Sequence, residues 1–197
     1  MNKKNEERIY RGFLMMNEIA LQKSTKDKII DYISYFFIYS FLGWIIETIY
    51  AILINGYFVK RGFLYGPICP IYGFGAAILI MSTKKLYGKP FKKFLIATIA
   101  FTVFEYFVSL ILEMLFGLRW WDYTNDFLNI QGRVSLLYSI FWGLIGLFLL
   151  EKLHPFVEDL IQKMNVKISK NAQGFLVAIF IVTIIVDTVF STIKYLR

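Results

Sequence analysis

The sequence predicts an all-α, polytopic membrane helix bundle of about five transmembrane helices, and three observations carry that prediction. The 197-residue chain is 57% hydrophobic and 19% aromatic, more apolar than a water-facing domain can accommodate. Five apolar runs, 32–54, 63–83, 94–116, 134–151 and 173–193, each approach the roughly 20 residues a helix needs to cross a hydrocarbon core. Lysine and arginine, finally, are distributed unevenly between the segments that separate those runs.

Taken in order, residues 1–31 form a basic segment expected on the cytoplasmic side. Ile9, Phe13, Met16 and Ala20 fall near one helical face with Arg8, Arg11 and Glu18 elsewhere, which fits either an interfacial amphipathic helix or a charged tail. Nothing in it has the pattern of a cleaved signal peptide, so it is expected to stay attached. In the first apolar run Ser40, Gly43 and Glu47 share a face, pointing the glutamate where helix backbones approach closely. The second run opens with RGFLYGPICPIYGFG, whose prolines lack a backbone donor and whose glycines disfavour helix. An irregular segment dipping from the outer side is expected, with Pro67 or Pro70 in the first turn of a late-starting helix. The third run carries Glu105 and Glu113; the fourth carries Ser135, Ser139, Gly143 and Gly146, a small-residue stripe read as packing. His154-Pro155 is expected in a loop after the fourth run, and Asp187 lies within the fifth. With no internal repeat or long linker, residues 32–197 read as a single transmembrane domain.

Basic residues set the orientation. Residues 1–31 carry seven, and the successive segments carry two, five, two, four and two, so sixteen fall on one side and six on the other. By the positive-inside rule the N-terminus is cytoplasmic and the C-terminus external. That bias also accounts for the net charge of +8, and no nucleic-acid partner is expected.

Threading the chain this way puts Glu47, Glu113 and Asp187 in the outer half of the bilayer and Glu105 near its middle, where an unpaired carboxylate is costly. Arg61 and Arg133 sit at the outer helix ends as partners, so acids and arginines are expected to meet there around a wet pocket. Each acid has a plainer reading as an interhelical strut, weakest for Glu105. A proline-started helix beside Arg61 would favour an anionic group. The long third loop, GLRWWDYTNDFLNIQGR, contains Trp121, Asp122, Tyr123, Asn129 and Arg133, more polar chemistry than a headgroup-level aromatic belt requires, and reads as a cap over the outer cavity. GxxxxGK[ST] does not occur, so the chain is not expected to hydrolyse ATP by itself. One cysteine and one histidine make no ordinary zinc site, and no nucleophile motif is present, so no metal or cofactor is expected.

YSFLGWIIETIY, VKRGFLYGPICPIYGFG, WWDYTNDFLNIQGRVSLLYSIFWG and the His-Pro that follows closely resemble the bacterial ABC-transporter type IV permease family, also called CmpB-like, over about residues 33–156. The resemblance implies a multi-pass protein of the bacterial cytoplasmic membrane. It directs attention to Glu47, Arg61, Gly62, Gly66, Pro67, Pro70, Trp121, Asp122, Tyr123, Asn129, Gly132 and Arg133. The leading expectation is a permease-like protein that binds a small polar or amphiphilic solute in an outward-facing polar cavity, within the lipid bilayer, with a separate ATPase subunit and homo-oligomerisation as open partner questions. The alternatives are a membrane-embedded enzyme acting on a lipid or isoprenoid at the outer leaflet, using carboxylates and arginines alone, and a non-catalytic scaffold.

Overall fold

A computed structural model describes residues 24–86 and 88–196; the amphipathic stretch around Ile9, Phe13, Met16 and Ala20 lies outside the described residues. Helix α1 runs Thr25–Asn55, capped by Ser24, whose hydroxyl accepts from the Asp27 amide, and closed by Gly56 in the left-handed conformation. An irregular segment, 56–69, leads into α2, Pro70–Thr83. Helix α3 is Pro90–Phe116. Helix α4, Leu136–Phe148, passes through a π-helical turn, Leu149–Leu153, into α5, His154–Lys167, and α6 is Lys170–Leu196. Among the described residues no strand forms beyond one isolated bridge, Ile130 with Val134.

Among the described residues, four stretches are long and apolar enough to cross a membrane: α1, α3, α4 through α5, and α6. The second expected span, 63–83, is composite. α2 has 14 residues, about 21 Å of helix, and the irregular segment precedes it, as the prolines and glycines require. Pro70, with no amide proton to leave unsatisfied, occupies its first turn.

The fourth span departs from expectation. Instead of ending at 151, the helix continues to Lys167 for 32 residues. Pro155 cannot donate to the carbonyl one turn back and its ring would collide with it; the widened turn just ahead of it absorbs the conflict without breaking the helix. His154 is therefore helical, not in a loop, with Nδ1 3.0 Å from the Tyr39 hydroxyl and its ring edge-on to Tyr35.

Helix directions alternate. Lys170 approaches Asp27 and Asn165 donates to Asp31 at one end; Phe63, Phe116, Trp120 and Tyr195 cluster at the other, the outer end by the orientation that the basic segments predict. The core lies nearer the first end, where Tyr35, Tyr39, Ala76, Leu79, Ile80, Ala97, Leu149, Val157 and Ile161 pack. Small residues set the helix spacing. A Cβ on Gly43 would overlap the Tyr72 ring, one on Gly73 Ser40 and Phe36, and one on Gly143 Thr98 and Phe94, so α1 meets α2, and α3 meets α4, at backbone distance. Large apolar side chains such as Phe107, Met114, Phe175 and Val189 face outward, as a lipid-facing perimeter requires.

Candidate functional site

The charged groups at the outer end are arranged in two nodes. In the first, α1 presents Glu47 toward the irregular segment. Arg61 donates to Glu47 Oε2 through Nη2 at 3.1 Å and Nε at 3.3 Å, and the Tyr72 hydroxyl, from the first turn of α2, donates to Oε1 at 2.5 Å. Both carboxylate oxygens are thus engaged, yet Glu47 and Arg61 remain 30% and 38% exposed.

The irregular segment is held by α6, by α1 and by a bond within itself. Asp187 on α6 accepts the Tyr65 amide at 2.8 Å and the Gly66 amide at 2.7 Å, two donors that regular helix would have satisfied. The Cys69 amide donates to the Ser40 carbonyl at 3.0 Å. Lys60 donates to the Leu64 carbonyl at 2.6 Å, and partial burial depresses its ammonium. Gly62 adopts φ +86°, and Gly66 lies so close to Asp187 that a Cβ would sit 3.0 Å from the carboxylate. Pro67 is exposed at the turn. The Tyr65 and Gly66 amides, which precede both prolines, are thus capped by a carboxylate of the same chain.

The second node lies under the outer loop, 118–135. Glu113 pairs with Arg119 at 2.9 Å and with the buried Arg133, whose Nη1 also donates to Ser109 Oγ at 3.3 Å. Trp121 donates its indole N–H to the Arg133 carbonyl at 2.9 Å. Asp122 accepts from the Thr124 hydroxyl and amide at 2.5 and 3.0 Å, bonds that hold its carboxyl below the usual range. Asn129 donates to the Thr124 and Asp126 carbonyls and accepts from the Gly132 amide. Gly132, at φ +68°, leaves no room for a Cβ beside Thr124 and Asp122. Asp122, Asn129 and Gly132 therefore spend their polar groups and conformational freedom on the loop itself.

Glu105 stands between the nodes. It is 6% exposed; Oε1 accepts from the Tyr123 hydroxyl at 3.1 Å, and among the described residues Oε2 has no hydrogen-bond partner. Trp142 of α4 faces Glu105, but its indole N–H likewise lacks a partner of adequate geometry. The Trp142 ring packs edge-on against Tyr72 at 5.9 Å, linking Glu105 to the Glu47 node.

The structure thus joins Glu47 to Arg61, Glu113 to Arg133 and Glu105 to Tyr123; the two arginines serve separate acids, and Glu105 has neither. A shallow concavity of about 340 Å³ lies elsewhere, lined by Asp126, Phe127, Leu136, Leu137 and Ile140. Sequence reasoning missed Tyr72, Ser109, Arg119 and Trp142 as site residues. Ser109 was accessible, since Glu105, Ser109 and Glu113 recur every four residues on one face of α3; the other three depend on contacts between distant segments.

The fold and the network define an α-helical, multi-span membrane protein with carboxylate–guanidinium pairs gathered at one end of the bundle. The family model described as "Putative ABC-transporter type IV" matches residues 34–192, and the chain belongs to that family. No match was found among curated proteins or among solved structures.

Proposed function

We propose that the chain is the membrane-embedded part of a transport system in the bacterial cytoplasmic membrane, binding a small polar or amphiphilic solute from the outer side and passing it across with a separate ATPase. The observation that supports this reading is the half-open Glu47–Arg61 pair. An ion pair at membrane depth often stabilises no better than an apolar replacement, whereas one with an accessible side can exchange partners. A solute carboxylate or phosphate would compete with Glu47 for Arg61, and a solute ammonium would compete with Arg61 for Glu47. Tyr72, bonded to the same carboxylate, would carry that exchange into the helix packing. Intramembrane charges most often line such pathways. Membership of an ABC-transporter family supports an ATP-driven partner, and the chain has no phosphate-binding loop of its own.

Affinity purification of the detergent-solubilised protein tests this. An ATPase is expected to co-purify, docked on the basic segments near 84–93 and 152–172. Recovery of this chain alone, with full transport in reconstituted vesicles lacking ATP, would overturn the proposal.

A further inference from the structure

The carboxylates of the bundle are partnered unequally. Glu47 has Arg61 and Tyr72, Glu113 has Arg119 and Arg133, and Asp187 has two amides and the Ser191 hydroxyl. Glu105, more buried than any of these, has among the described residues one hydroxyl in hydrogen-bond geometry, with the Trp142 indole N–H facing it but outside that geometry.

Its surroundings can be taken element by element. On α3, Ser109 lies one turn away and is engaged by Arg133. From the outer loop comes Tyr123, stacked on Tyr138 of α4 at 4.2 Å. Trp142, also of α4, faces the acid. Beyond Trp142, Tyr72 of α2 gives its hydroxyl to Glu47 of α1. None of these side chains except Glu47 carries charge, and Glu47 has the same sign as an ionised Glu105. The nearby guanidiniums are committed to Glu47 and Glu113. A carboxylate taken out of water without a cation or a full set of donors is the costly form of that group; the neutral acid avoids the cost.

We propose that Glu105 is a proton-binding site of the bundle, held as the neutral acid in this conformation and exchanging its proton with the outer side. The hydrogen bond to Tyr123 accommodates either form: the acid donates from Oε1 to the phenol oxygen, and the carboxylate accepts the phenol proton. Release transfers one proton from the carboxyl to water at the outer end and leaves a carboxylate; uptake reverses this, with no other reactant consumed. Because Tyr123 belongs to the loop that carries Arg133, proton occupancy and loop position are linked. The inference goes beyond ATP-driven transport, since it adds an ion whose movement accompanies rearrangement of the outer network.

Infrared spectroscopy of the full-length protein in lipid nanodiscs at neutral pH tests it without any solute or ATPase. The wild type is expected to show a carboxylic-acid carbonyl stretch that E105Q loses, by the amplitude of one carbonyl per chain, and that E47Q keeps. Y123F keeps the carboxyl but removes its hydrogen bond, so the band persists and moves to higher frequency. Absence of the band in the wild type, or its full retention in E105Q, would overturn the proposal. Should E105Q fail to fold, Y123F decides alone, and a band at unchanged frequency refutes it.

Discussion

Asp187 fastens the irregular segment to the last helix, and removing it should loosen one local region measurably. Asp187→Ala removes the acceptor for the Tyr65 and Gly66 amides at 2.8 and 2.7 Å. Hydrogen bonds to a charged acceptor contribute about 1.5–3 kcal/mol each. Tyr65 is 54% exposed, so water replaces much of its bond, and the combined local loss is about 2–3 kcal/mol. Cys69 reports on this directly, because it is the only cysteine in the chain, is 4% exposed and lies at the end of the same segment. If a thiol reagent reaches it through local opening, each roughly 1.4 kcal/mol is tenfold in the open population. Maleimide labelling of Cys69 in detergent should therefore accelerate about 30- to 150-fold in Asp187→Ala. Asp187→Asn, which keeps one acceptor oxygen, should fall between the variant and the wild type. A rate within about threefold of wild type, with the variant still folded, would refute the assignment of Asp187 as the clasp of this segment.

Three further outcomes follow from the packing. Gly132→Ala forces a side chain into a left-handed conformation already crowded by Thr124 and Asp122, costing of order 1–3 kcal/mol, so limited proteolysis should cut the 118–135 loop faster than in wild type. Asp122 has its folded-state pKa depressed, so its contribution is complete above the unfolded value, about pH 3.9, and is lost as pH falls through the folded value; tryptophan emission from the loop should change below about pH 4, and Asp122→Asn should suppress that change. Gly143→Val would drive a branched side chain into Thr98 and Phe94 and should lower stability by about 1–3 kcal/mol in a thermal melt, whereas Leu144→Val, at an outward-facing position, should have little effect.

The parts of this structure legible in the sequence are those written in local chemistry. Long apolar runs announced the helices, the alternating basic segments their threading, and the Pro/Gly-rich stretch after Arg61 the late start of α2. The Glu47–Arg61 pairing was also within reach, because both residues lie at the same end of adjacent elements, 14 positions apart. Other features depend on partners that no local pattern identifies. Asp187 binds backbone more than 120 positions away, and Trp142 meets Glu105 only because Gly143 and Gly146 bring α4 close to α3. His154-Pro155 looked like a helix stop, since proline alone is a breaking signal; a π turn that rescues the helix is a property of the surrounding packing, with Leu149, Val157 and Ile161 buried along its length. Asp122 and Asn129 resembled exposed binding groups for a comparable reason: a loop that satisfies itself internally has the same composition as one that awaits a ligand.

The central proposal is that the outer carboxylate–guanidinium network holds a solute. Native mass spectrometry of the protein released from nanodiscs made with its own membrane tests that claim most directly. A small polar or amphiphilic molecule is predicted to remain bound to the wild type and to Leu144→Val, altered at an outward-facing position, and to be absent from Glu47→Gln and Arg61→Ala. The same bound species on all four proteins, or none on any, would contradict it.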